Sequence, residues 1–242
     1  MLISAIKIIF LLGFLILIHE GGHFLVAKIC NVKVNQFAIG FGPKIFQYQG
    51  KETLYALRLI PLGGFVSMEG ESGSSEEKRA FSNAKISKRI AIVAAGAIVN
   101  IIFGLILYLI LARIYFGNFS DAIRAVVAYF YAVLEGIKML FTGNVGINDL
   151  TGPVGISNLV SQTVGIKDYI YMMSIISTSL GVTNLLPLPA LDGGKIVLLI
   201  IEAIRKKPLK EETEAKIQLL GFSLLIVVAV MVTYNDILKI AR

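Results

Sequence analysis

His19, Glu20 and His23 stand together in HEGGH, and the chain has no other histidine. On a helix, residues four apart share a face, so both imidazoles can reach one metal ion. Glu20 lies one residue on, beside such a metal rather than on it. There it is suited to take a proton from an activated water and deliver it to a leaving amine. The run that carries the motif, LLGFLILIHEGGHFLVAKIC (11–30), is otherwise apolar. Ionisable groups inside a membrane span are expensive and are functional candidates by default. A purely structural role would need a separate partner for each of three buried polar side chains. Gly21 and Gly22 are poor helix formers whose small size lets a neighbouring segment approach a metal closely.

A zinc site needs a third protein ligand, and the carboxylates in apolar surroundings are Glu135, Asp192, Glu202 and Asp236. Asp192 is favoured by its setting, NLLPLPALDGGK (184–195). Pro187 and Pro189 break a helix there, and Gly193-Gly194 leave the backbone free just after the acid. Non-helical backbone at membrane depth is tolerated only where it lines a protein cavity. The competing reading makes Asp192 a cap for the helix that follows it. Glu202 stays open as a ligand, whereas Glu135 and Asp236 fall near the opposite face. Asn184 is placed either to donate to a reacting carbonyl or to satisfy freed backbone groups.

The elements that must position these groups are membrane spans. Of 242 residues, 56% are hydrophobic and only 16% are charged, with a mean hydropathy of +0.78; soluble domains carry about 25% charged residues. Crossings are expected at about 2–29, 90–115, 169–204 (broken at 184–194) and 217–234. A cleavable signal peptide fits poorly, since Lys7 follows apolar residues and no small-residue cleavage site follows Ile18. Residues 28–89 hold ten Lys/Arg, and five more lie between Arg205 and Lys216. The stretch from Arg113 to Asp168 holds four, balanced by four acids. The positive-inside rule therefore sets both basic loops in the cytoplasm. A fifth crossing at 122–141 would break that pattern, so this segment reads as an amphipathic helix on the outer face, with Glu135 and Lys138 paired. Residues 32–68 change period: short strands and a hairpin at Gln49-Gly50-Lys51, then IPLGGFVSM (60–68). This β-loop is apolar enough to lie against the membrane. EGESGSSEEKR (69–79) reads as a mobile linker. The net charge of +7 comes without a basic stripe interleaved with aromatics, so no nucleic-acid partner is expected. Cys30 is the single cysteine, which excludes an internal disulfide and a multi-thiolate zinc knuckle. The fold class is a membrane all-α core of about four transmembrane helices with a small membrane-associated β-hairpin after the first.

HEGGH in the first span together with NLLPLPALDGGK in a late one resembles the site-2 protease family of intramembrane zinc metalloproteases, in its bacterial regulator-of-sigma form. GFGPK (40–44), IPLGGFVSM (60–68), RAFSNAKISKRIAIVAAGAIVN (79–100) and TGPVGI (151–156) agree with it. The resemblance implies a single protease domain over 1–242, in a multi-pass protein of the bacterial cytoplasmic membrane. It implies Zn2+ held by His19, His23 and Asp192, with Glu20 as general base. It also implies substrate contacts at Asn184, Pro187 and Pro189, and a β-loop around Gly63, Gly64 and Phe65 that receives substrate. The substrates would be single-span membrane proteins in the bilayer, such as an anti-sigma factor or a signal-peptide remnant, cut near the cytoplasmic face. Three departures stand out. Ala97 occupies a position where the family commonly has Pro, and Lys195 follows the glycine pair where His is frequent. Related proteases also carry a PDZ domain before TGPVGI, where 115–121 leaves only a few residues; this is either a member without it or one from which it was removed. A competing function, metal binding or transport through the same cluster, would need polar groups staged along a pathway rather than gathered at one depth.

Overall fold

The computed structural model describes residues 2–71, 73–143, 146 and 150–241. The chain runs α1 (Leu2–Ile29), β1 (Val34–Gln49), β2 (Leu54–Met68), α2 (Ile86–Phe116), α3 (Phe119–Phe141), α4 (Pro153–Ser161), α5 (Ile166–Asn184), α6 (Asp192–Arg205) and α7 (Glu211–Ala241). These residues form two compact units. One comprises 9–100 with 184–221, the other 2–8, 101–183 and 222–241.

Among the described residues, three helices are long and apolar enough to cross a bilayer: α1 over Ile6–Ile29, α2, and α7 over Glu211–Lys239. Apolar residues surround them instead of lining one stripe, the pattern of a helix solvated by apolar material on all sides. In α7, Leu220, Phe222, Leu224 and Val230 all stay exposed on the protein. The sequence suggests about four crossings, and three helices meet this measure. The remaining stretch is divided between α5 and α6, with a turn at 185–191, inside the expected break. Ala97 is fully buried within an unbroken α2, where proline would remove a helix bond.

The unit that holds the histidines contains the sheet. β1 and β2 are long antiparallel strands joined by a turn at 50–53, which is the expected hairpin. They bend at positive-φ glycines 40, 42 and 63, so each folds back along the other. Ala38 consequently has two partners, Phe65 on one side and Ala56 on the other. Gly64–Met68 pair only with 34–39, which leaves their other edge without a strand among the described residues. Phe41, Ile45, Phe46, Leu57, Leu59 and Ile60 are exposed, an apolar surface that water alone does not favour. The inner end of the sheet joins a core of Ala27, Val34, Val66, Met68, Phe81, Ile92 and Leu199, which ties α1, β1, β2, α2 and α6 together.

The polar stretch 69–79, expected to be a mobile linker, is instead laced to its surroundings. Glu69 accepts from Asn35 (2.9 Å) and Ser75 (2.8 Å). Asn83 donates to the carbonyls of Ser75 and Glu77, and Arg79 pairs with Glu52 at 3.0 Å. Glu71 meets Lys195 at 2.8 Å, and Glu211 accepts from the Ser74 amide. Asn35 and then Ser75 hold the Glu69 carboxyl below the ordinary carboxylate range.

In the other unit α3 is an amphipathic helix, started by Asn118, whose side chain accepts from the Asp121 amide. Lys138 and Glu135 pair at 2.9 Å, as their spacing suggested. TGPVGI opens α4, and the buried Asp236 of α7 accepts from the amides of Gly152 (3.2 Å) and Gly155 (2.8 Å) there. Tyr108 stacks on Tyr129 at 4.1 Å, and Ser174 donates to the Tyr129 hydroxyl.

Candidate active site

α1 runs as one helix through HEGGH, so His19 and His23 do share a face, with Nε2 atoms 3.2 Å apart. Asp192 is the first residue of α6, and its Oδ2 lies 3.2 Å from His19 Nε2 and 3.5 Å from His23 Nε2. The three offer ligand atoms all within 4.8 Å of one another. Each histidine side chain is 12% exposed and that of Asp192 21%, so the cluster is largely withdrawn from water. The helix-cap reading of Asp192 does not hold. Leu191 is the cap, and no side chain makes a cap bond there. Asp192 Oδ2 is buried with no hydrogen-bond donor. An orphaned acceptor of this kind costs about 1–3 kcal/mol. Two imidazole nitrogens and a carboxylate oxygen converging at such distances suit a shared divalent cation, and the donor set is one that zinc takes.

α2 fixes the histidines from behind. His23 Nδ1 donates to the Ile92 carbonyl at 2.8 Å, which leaves Nε2 as the bare nitrogen facing the cluster. Gly96, one turn beyond Ile92, makes this possible: a Cβ there would collide with the His23 ring. Gly22 on α1 packs against the Ala95 carbonyl of α2, at 2.7 Å from where its own Cβ would be, as its small size suggested; Gly21 has open space. The side-chain nitrogen Nδ2 of Asn100 stands 3.4 Å from His19 Nδ1. Neither Gly96 nor Asn100 was assigned a role from sequence. The available signal was a polar residue inside an apolar span.

The other candidates separate clearly. Glu202 forms a 2.7 Å ion pair with Arg89 and is not part of the cluster. Glu135 and Asp236 are engaged as described above. Lys195 points to Glu71 and over the Phe81 ring (5.2 Å), and supplies no fourth ligand. Asn184 is the last residue of α5; Pro187 is exposed in the turn that follows, and Pro189 packs on Gly221 of α7. Gln218 accepts from the Ala190 amide at 2.7 Å and holds this turn, in which Ala190 has φ +71°. Gly193 and Gly194 lie against the carbonyls of Leu186 and Leu188 with no room for a side chain. On the sheet, Gly63 sits at φ +102° under the Phe41 ring, and Phe65 pairs with Ala38 beneath the Arg58 guanidinium. A Cβ on Gly64 would stand 3.0 Å from Glu20 Cγ and 3.1 Å from Ile16. The sheet edge and the glutamate are therefore neighbours.

A His–His–Asp cluster beside a glutamate, on a helix apolar enough to span a bilayer, defines a membrane metalloprotease. A model of Peptidase family M50 matches residues 7–228, and the chain belongs to this family, the site-2 protease family of zinc metalloproteases. A Clostridium acetobutylicum protein bearing the name zinc metalloprotease is 28% identical, across 93% of this chain and 94% of its own. One from Fusobacterium nucleatum with the same description is 26% identical, across 95% and 97%. The regulator of sigma-W protease RasP of Bacillus subtilis is 24% identical, across 98% of this chain and 99% of its own. That alignment runs over 416 positions against 242 residues here, so the Bacillus protein carries a sizeable insertion relative to this chain. The enzyme is thus a zinc metalloprotease of an intramembrane family.

Proposed function

We propose that this enzyme cleaves transmembrane segments of single-span membrane proteins near their cytoplasmic ends. Anti-sigma factors and signal-peptide remnants are the substrate types in view. The observation that carries the reading is the convergence of His19, His23 and Asp192 beside Glu20 on a helix fit to span the bilayer. His19, His23 and Asp192 hold zinc. Bound there, the metal supplies Lewis-acid polarisation of the scissile carbonyl and activation of water. Glu20 takes the water's proton and returns it to the leaving amine as the peptide C–N bond breaks. Burial of the histidines and of Asp192 lowers the local dielectric and strengthens each of these electrostatic contacts.

A peptide bond in a helix is shielded by its own turn, with its carbonyl already bonded, so a substrate must unwind before it reacts. Unpaired backbone groups in lipid cost several kcal/mol each, and the enzyme must offer substitutes. The open edge of Gly64–Met68 supplies them by accepting substrate as an added strand. Its neighbourhood with Glu20 brings that strand to the reacting groups. Gly63 and Phe65 shape the edge, and Asn184, Pro187 and Pro189 form the facing wall. The exposed apolar residues of the hairpin rest in the bilayer. The basic content of 28–89 and 205–216 sets both stretches on the cytoplasmic side of a multi-pass protein in the bacterial inner membrane, with about four crossings and α3 on the outer face.

Mass spectrometry of the products of a reconstituted single-span substrate tests this reading. The cut bond is expected inside the apolar segment, toward its cytoplasmic end. A cut confined to the water-exposed tails would contradict it.

A further inference from the structure

His19 has to present Nε2 to the metal, since that is the atom that meets His23 and Asp192. A neutral imidazole with a bare Nε2 carries its proton on Nδ1. For His23 the acceptor of that proton is the Ile92 carbonyl. For His19 the neighbour is Asn100, fully buried on α2, two turns beyond Ile92. An Asn side chain can turn either end to its partner, and the network decides which. The structure sets the Asn100 side-chain nitrogen toward His19. With the amide held that way, Nδ1 would be the acceptor, the ring proton would sit on Nε2, and ligation would be blocked. A half-turn of the amide brings its oxygen to Nδ1 instead. Only the amide oxygen is compatible with a metal at the cluster.

We infer that Asn100 is a positioning residue: its side-chain oxygen accepts from His19 Nδ1–H, fixing the tautomer and the ring plane that zinc requires. The inference rests on the zinc reading of the cluster, and it goes further by giving each histidine its own partner on one helix. The two partners differ in kind. The Ile92 carbonyl is backbone and survives any substitution, whereas Asn100 is a side chain and can be removed. The site therefore has one histidine whose support depends on a single residue. Loss of such a partner typically weakens a metal site 10–100-fold.

The test uses the full chain, purified with zinc, and follows transfer of zinc to a chelating dye. Wild type is measured first, and one tightly held zinc per chain is expected; failure at that step would count against the cluster reading itself. Asn100→Leu keeps the volume and removes the acceptor. It is expected to weaken zinc binding 10–100-fold, with helix content and thermal unfolding of the zinc-free protein unchanged. Asn100→Asp keeps an acceptor and is expected to hold zinc within a few-fold of wild type. Zinc binding by Asn100→Leu within twofold of wild type would overturn the inference. Equal losses in the leucine and aspartate variants would also overturn it, since the residue would then act through packing and not as an acceptor. If Asn100→Leu fails to fold, Asn100→Ala takes its place, with the same 10–100-fold weakening expected and zinc binding within twofold of wild type overturning the inference.

Discussion

At the residue scale, the cluster makes different demands on groups that share a charge. Asp192 has a buried oxygen with no donor and two imidazoles facing it, whereas Glu202 is already paired with Arg89. Removing a ligand and removing an ion-pair partner should therefore have separate consequences. His19→Ala, His23→Ala and Asp192→Ala are each expected to lower zinc content sharply, as measured by atomic absorption on purified protein. Glu202→Ala is expected to keep it. Full occupancy in Asp192→Ala would remove that residue from the ligand set. The convergence of His19, His23 and Asp192 was legible because metal chemistry narrows the residue types, HEGGH fixes the spacing of the histidines, and the LPLPALDGG setting marks the aspartate. Gly96 and Asn100 were not, because their roles depend on which helix crosses α1 and at which residue. An isolated glycine or asparagine in a span carries no record of its neighbour.

Elements bring those residues to one place, and the sheet edge has the most direct consequence. Gly64 lies on that edge and against Glu20, so two effects can be told apart by two substitutions. Alanine adds a Cβ that crowds Glu20 Cγ but keeps the backbone donor. Proline places a Cβ at the same point, adds a ring carbon on the backbone nitrogen, restricts φ and removes the donor. Gly64→Pro is expected to cleave at least tenfold more slowly than Gly64→Ala, with zinc bound in both. Equal rates would assign the effect to crowding and count against strand addition. The hairpin was legible from its turn and period. The lacing of 69–79 was not, because a run of Glu, Ser and Gly has the composition of a linker whatever it touches. Its partners Asn35, Lys195 and Glu211 are distant in sequence, and those contacts exist only once β1, α6 and α7 are assembled.

On the scale of the whole molecule, a chemical site is joined to membrane-spanning helices. Three helices have the length and apolar character to span, and α5 with α6 carry the break that delivers Asp192. The orientation rests on the distribution of Lys and Arg, which is a property of the chain and not of its packing. In a Cys30→Ser background, Gly146→Cys is expected to react with an impermeant thiol reagent on intact cells. Glu76→Cys is expected to react only after permeabilisation. The reverse pattern would make α3 a crossing helix and separate the basic loops. Glu20→Gln separates metal binding from chemistry and so tests whether this cluster cuts peptide bonds within the membrane with Glu20 as the base. Purified wild-type and variant proteins would be given the same single-span substrate in liposomes, with zinc content and cleavage measured on the same samples. Full zinc is expected in the variant, with a loss of cleavage of about 10²–10⁴-fold, the usual range for a general base. Cleavage within tenfold of wild type by the zinc-loaded variant would contradict that role for Glu20.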